Sequence, residues 1–545
     1  RLPADDWRRD LAYLVETLER VHPDLYARVD RATLKSAAER LAAAMPDLTD
    51  AEIVVRLMQL VALVEDGHTS LEPSDRFGFG RWFPVRFYRF TDGIFVTAVA
   101  DRYAELAGTR VLRIGGLEAE RAWDLTATLL GGDNELGVLQ RAPLYLSNAA
   151  ALEVLGILDD PSRLELEVEV AGATKLSRTL EPVDAGHDLS FQFWGEIWGP
   201  GSSAVTYVTP FGASEDHYGQ SAGLPLHLRS RAAYSWAWVP EEKLLFVQLN
   251  HLGDSGRIEQ TFAEFTDELW RAVDELDIDR FVLDIRYNIG GDGSLVLPFV
   301  HEIIKRDAID RKGTLFAVVG RATFSAGVML ARSLEEHTHV TFVGEPPGAY
   351  WKHYGDGTSF ELPASGLVVW VSTIYHQLSS YAGDQRALGI ELPAPFSSAD
   401  WLGGGDPALA EIRASADRAL LANVFREQGA AAGLAAYEER LAHYGGVDWW
   451  EPFTLQSLNS IGHELLDAGR YEDALAAYRL NARRHPEHWR VWYSLGRAQR
   501  RQGDLEAAIA NYEKALAVDP FNNLAPFQRE ALEEMRSQPP GAQPK

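Results

Sequence analysis

Phe281-Val282-Leu283-Asp284-Ile285-Arg286-Tyr287-Asn288-Ile289-Gly290-Gly291-Asp292-Gly293 is the stretch on which the fold turns. Four of its first five residues are apolar and rich in branched side chains, the composition of a buried strand, and the polar and glycine residues after them end it in a loop. A second apolar run, Leu315-Phe316-Ala317-Val318-Val319, stops at Gly320. From Ala322 through Thr323, Phe324, Ser325, Ala326 and Gly327 to Leu334 the pattern changes to helical spacing, so Ser325 is expected near a helix start. Val340-Thr341-Phe342-Val343 then closes the unit as a third strand before Gly344-Glu345.

A serine in that position admits two readings. It can be an N-cap whose hydroxyl accepts from the first helical turn. It can also be a nucleophile, because the unpaired N–H groups and the positive end of the helix dipole suit an oxyanion. The Gly290-Gly291 loop can bring a second backbone donor close. Far upstream, His68 stands where a helical pattern breaks into Glu65-Asp66-Gly67-His68-Thr69, a setting from which a general base can be aimed across a cleft.

Four motifs in this order, Asp66-Gly67-His68-Thr69, Asp284 to Gly291, Phe324-Ser325-Ala326-Gly327 and Val343-Gly344-Glu345-Pro346, resemble those of the C-terminal processing peptidase and tricorn protease family. The resemblance spans roughly residues 1 to 415 and is strongest to the Asp-Gly-His-Thr branch, which includes the interphotoreceptor retinoid-binding protein. It implies a crotonase-like core, Ser325 as nucleophile and His68 as base, with an oxyanion hole from Gly290, Gly291 and Ala326. The family's other branch uses a lysine 25 residues after the serine; here that position is Tyr350 and the nearest lysine is Lys352, which favours a Ser–His pair over a Ser–Lys dyad. Two family positions differ. Gly67 stands where tricorn-like enzymes have a serine, and Arg386 where they have a glutamate, leaving Asp66, Asp384 and Gln385 as candidates to orient the imidazole.

The rest of the chain bounds these expectations. Its 545 residues call for several domains, and 46% hydrophobic with 24% charged residues is ordinary globular composition. A net charge of −27 argues against nucleic-acid or anionic-membrane partners. Zero cysteines remove disulfides, thiolate metal sites and cysteine nucleophiles, and no clustered ligand motif implies a metal or any other cofactor. No apolar run is long enough for a transmembrane helix. A first residue of Arg fits a chain trimmed after export to the periplasm, cell envelope or exterior, with a cytoplasmic location left open.

The expected architecture is multidomain α/β. Residues 1–75 form an N-terminal helical domain, and 76–240 a β-rich, PDZ-like or substrate-groove region with a hairpin across Thr91-Asp92-Gly93. The tract from Phe191 to Ser235, with Trp194, Trp198, Tyr207 and Tyr218, reads as long loops. Residues 241–400 make the crotonase-like core, in which His251, His301, His337, His339, His353 and His376 are further histidines. After Gly403-Gly404-Gly405, residues 401–420 read as a linker. In 421–536, Gly469-Arg470-Tyr471 recurs as Gly503-Asp504-Leu505 and Tyr478 as Tyr512, a 34-residue period that marks tetratricopeptide-like helices, with a degenerate helical pair from Pro407 to Tyr444 extending the stack and a disordered tail at 537–545.

The expected function is a serine endopeptidase or C-terminal processing peptidase acting on a peptide or protein, with a protein partner on the repeats. The alternatives are an inactive peptide- or apolar-ligand-binding protein on the same fold, or a tetratricopeptide scaffold.

Overall fold

In a computed structural model of the chain, residues 1–170, 173–184, 207–213, 224–230, 232–254, 260–378, 388–415, 421–444, 447, 449–450, 453 and 455–537 are described. The apolar runs of the opening stretch become neighbours in one sheet. Leu244–Leu249, Arg280–Asp284, Leu315–Val319, Thr341–Gly344 and Leu392–Pro393 pair in parallel in that order, and Tyr234–Val239 joins antiparallel at one edge. Near-continuous apolar runs are what a sheet covered on both faces requires. One face carries Leu245, Val247, Phe281, Leu283 and Ala317 into a core shared with the helices Phe262–Glu275, Val296–Ile304 and Ala326–His337.

The opposite face presents Phe246, Val282, Phe316 and Val343 and is covered by the helix Pro407–Ala414 through Ala408, Leu409 and Ile412. Residues 401–415, expected as a linker and as the start of the repeat stack, are thus part of the core. Trp401 is buried, and Asp406 binds Arg286 with two contacts at 3.0 and 2.9 Å and His227 Nδ1 at 2.9 Å.

The N-terminal helices Ala4–Val21, Arg31–Ala44 and Asp50–Ala62 follow the apolar spacing. They do not close a core alone. An excursion after the last core helix sends the hairpin Thr358–Glu361 and Val368–Val371 into them, so that Leu362, Leu367, Val369 and Val371 share their interior. Ser70–Leu71 pairs with Val369 and Trp370, and the buried Asp10 accepts from the N–H groups of Ala364 and Ser365 at 2.8 Å each.

The expected hairpin is present, with Val85–Phe90 antiparallel to Gly93–Ala100 and a bulge at Arg86/Phe87. That region is not purely β: helices Ala119–Ala127, Glu135–Arg141 and Ala149–Val154 interrupt it. The tract expected as long loops contains the strands Tyr207–Thr209 and Gly212–Ala213, the first paired to Gly93–Ala100; Trp194, Trp198 and Tyr218 lie outside the described residues.

Toward the C-terminus, helices Leu455–Asp467, Tyr471–Arg484, Trp489–Gln502 and Leu505–Val518 repeat at the expected period, with Gly469 and Gly503 at φ +75° and +94° in equivalent turns. The helix Ala430–Tyr444 packs with them through Tyr437 and Tyr444. The helix Ala525–Ser537 includes the first residue of the expected tail; residues 538–545 lie outside the described set. Among the described residues no helix is long and apolar enough to cross a membrane.

Candidate active site

The turn between Val319 and Ala326 is held from below by the loop after Asp284. Thr323 Oγ1 donates to Ile285 O at 2.8 Å, and Phe324 N donates to Asn288 O at 2.8 Å. Asn288 is buried and reaches Leu249 O through Nδ2 at 2.9 Å while its Oδ1 accepts from Gly290 N at 2.9 Å. These bonds tie the turn to two neighbouring strand ends.

Out of it comes Ser325 at φ +51°, ψ −125°, immediately before the helix Ala326–His337 and with no capping hydrogen bond from its side chain. An ordinary N-cap has extended φ/ψ and an engaged hydroxyl, so the capping role does not describe this serine. A non-glycine residue at positive φ costs on the order of 1–3 kcal/mol, a strain typical of a side chain thrust out of a sharp strand-to-helix turn.

Gly290, at φ +112°, lies against it. A Cβ there would meet Ser325 Oγ at 3.1 Å and Ala326 N at 3.0 Å, so glycine keeps open the corner between the hydroxyl and that N–H. Among the described residues the N–H groups of Ala326 and Gly291 have no partner, whereas that of Gly290 is engaged by Asn288. His251 hydrogen-bonds the Gly290 backbone, and burial lowers its pKa. A cleft between the helices Phe262–Glu275 and Val296–Ile304, floored by Phe262, Trp270 and Phe299, opens beside Gly291.

His68 comes from the N-terminal layer to Phe324, the residue before Ser325. Its ring stacks on Phe324, centroids 4.3 Å apart at 24°, and lies 5.8 Å from the buried His353 ring. Both ring nitrogens are buried and, among the described residues, without a hydrogen-bond partner, so the Ser325 hydroxyl is bonded to neither. Burial pushes the imidazole down to about 4, against the pull of Asp66, so the ring is neutral at physiological pH.

Asp66 braces the loop rather than the ring. Its carboxylate accepts from His68 N at 3.0 Å, Ser372 Oγ at 2.6 Å, His22 Nε2 at 3.2 Å and the Thr69 hydroxyl. His22 Nδ1 accepts from Asp24 N, which leaves its Nε2 as the donor. Burial alone would raise the Asp66 pKa; these donors outweigh it and hold the carboxyl at about 2. Asp384 and Gln385 lie outside the described residues.

One group was not singled out in the sequence. Asp133 is buried, binds Arg28 Nη1 through Oδ1 at 3.3 Å, and offers an atom within 4.8 Å of atoms on both Asp66 and His68. Burial first, and then Asp66, push its carboxyl up to about 7. The only local signal is Gly131-Gly132-Asp133-Asn134, which marks a turn before a helix and nothing about distance to His68.

The molecule is thus a mixed helix-and-sheet chain with a strained serine at a helix start, a histidine stacked on the residue before that serine, and helical repeats toward its C-terminus. In fold it is similar to mature CPAF complexed with lactacystin, at a TM-score of 0.50 and 11% identity over 75% of this chain and 97% of that one. The photosystem II D1 C-terminal processing protease also matches (TM-score 0.34, 13% identity, 74% of this chain, 98% of that one), as does tricorn protease (0.33, 12%, 75% and 37%). The family model for the tetratricopeptide repeat matches residues 460–523. No curated protein matches the chain by sequence.

Proposed function

We propose that the chain is a serine hydrolase acting on peptide bonds. Ser325 attacks the carbonyl carbon while His68 takes the hydroxyl proton; His68 then returns that proton to the departing amine, and water repeats the cycle on the acyl-enzyme. The N–H groups of Ala326 and Gly291 receive the oxyanion, since Gly290 N–H is already committed to Asn288. The observation that carries this reading is the backbone of Ser325, strained at φ +51° with its hydroxyl free of capping, one residue from the ring on which His68 stacks. A neutral imidazole is the form that accepts a proton, and catalytic contacts that are open in a free enzyme tighten around bound substrate.

Labelling with a fluorophosphonate probe tests the proposal. Labelling of the parent that is lost in both Ser325→Ala and His68→Ala is the expected result; an unlabelled parent with an intact circular dichroism spectrum would overturn it in favour of a ligand-binding protein.

A protein-binding role for the repeats accompanies this activity. It is supported by Phe521 and Phe527 at the distal end of the stack, 91% and 63% exposed. A pull-down that recovers the same protein with the parent and with a Phe521→Ser, Phe527→Ser chain would remove that support.

A further inference from the structure

We propose that Asp133 is the positioning residue of the base: its carboxylate faces the His68 imidazole, orients it, and balances the positive charge the ring gains when it takes the serine proton. The inference rests on the hydrolase reading above and deepens it.

A buried carboxylate oxygen and the buried nitrogens of an imidazole lie close together, none of them engaged. Asp133 is 4% exposed, and its Oδ2 has no hydrogen-bond partner among the described residues; the same holds for both ring nitrogens of His68. The two side chains offer atoms within 4.8 Å of each other. A buried polar atom left unsatisfied keeps its full desolvation penalty, which pairing the two groups removes.

The approach is built by what the neighbours lack or hold. A Cβ at Gly67 would lie 2.9 Å from Asp133 Oδ2 and 2.7 Å from Phe324 Cε2, so the absence of a side chain at 67 admits both the carboxyl and the stacking ring to the His68 loop. Arg28 Nη1 holds the far oxygen, Oδ1, and also the Asp133 carbonyl at 3.1 Å, which turns Oδ2 inward. Asn134 Nδ2 donates to Pro347 O at 3.0 Å and anchors the segment to the turn after the strand Thr341–Gly344. Asp66, the nearer acid in sequence, already accepts four donors and has its oxygens committed to the loop.

Charge around the pair is mixed. Asp66, Arg28 and Arg141 face it from the N-terminal layer and the 131–141 segment, and His353 and His376 with Asp356 from the 352–377 excursion. Burial disfavours a lone charge on either partner, raising the Asp133 pKa and lowering that of His68. When proton transfer from Ser325 makes the imidazolium, an ionised Asp133 beside it converts two isolated burial penalties into an ion pair.

The test follows fluorophosphonate inactivation against pH in the parent, Asp133→Asn, Ser325→Ala and His68→Ala chains. Asparagine at 133 is expected to slow inactivation by about 100-fold or more, the lower end of what general acid–base catalysis contributes. It is also expected to move the acid limb of the profile to lower pH, because a carboxylate favours the charged imidazole and an amide does not; a role confined to folding would not move that limb. A rate within about twofold of the parent and an unmoved limb, with Ser325→Ala and His68→Ala still dead, would overturn the inference and leave the hydrolase reading standing.

Hydrogen–deuterium exchange at His68 Cε1, read by mass spectrometry, needs no activity and decides the inference even if the parent fails to label. A titration midpoint lower in Asp133→Asn than in the parent supports it, and equal midpoints overturn it. If Asp133→Asn does not fold, the same comparison is made with Asp133→Ser: a midpoint lower than the parent's supports the pairing, and equal midpoints overturn it.

Discussion

The imidazole of His68 rests on the ring of Phe324, the residue directly before Ser325, with centroids 4.3 Å apart. Replacing Phe324 by Leu should leave the fold intact while freeing the ring. An aromatic pair is worth about 0.5–1.5 kcal/mol, so probe labelling of Ser325 should slow by up to about tenfold with little change in Tm. The inactivation rate beside a thermal melt checks this.

Gly290→Ala should do more. The added methyl would stand 3.1 Å from Ser325 Oγ and 3.0 Å from Ala326 N, filling the corner in which an oxyanion would be held. Loss of about 10²–10³ in kcat is expected, the range for removing one oxyanion donor. Alanine at φ +112° adds strain of about 1 kcal/mol or more, measurable by urea unfolding.

Acid should weaken the His68 loop through Asp66. Its folded pKa, about 2, lies below the ordinary 3.8, so ionised Asp66 contributes stability that is fully present above the unfolded value and is lost as pH falls through the folded one. The contribution is about 2 kcal/mol at neutral pH. Unfolding free energy measured in urea should therefore decline more steeply between about pH 4 and pH 2 in the parent than in Asp66→Asn.

Asp406→Ala should destabilise the core. It removes the carboxylate that Arg286 and His227 share; Arg286 keeps its ion pair with Asp284 at 2.9 Å, so the cost is that of the lost charged hydrogen bonds, about 1.5–3 kcal/mol. Because Arg286 opens the loop that carries Gly290, labelling should fall along with the urea midpoint.

What was legible in the sequence was local. Strand, glycine loop, serine and helix start follow one another within residues 281–334, where apolar runs and turn residues decide the outcome without distant help. The glycine run at 403–405 has the composition of a boundary, yet the next residue is the buried partner of Arg286, a pairing across 120 residues that no window contains. Asp133 was missed for the same reason: its link to His68 exists only after the 131–141 segment packs on the N-terminal loop through Arg141 Nη1 and Gly67 O at 3.1 Å. The strain at Ser325 left no mark in the sequence either, since it follows from the Thr323 and Asn288 bonds that pin the turn from another strand end.

The excursion that clips the N-terminal helices has a consequence for a nascent chain. The loop bearing His68 is anchored through Asp66 to Ser372 and through Ser70–Leu71 to Val369 and Trp370, all of which follow Ser325 in the chain. During synthesis the serine therefore emerges while its histidine still lacks those anchors. On the proposed hydrolase reading, a half-made chain holds Ser325 and His68 unassembled, and activity arrives only after those later residues have been added.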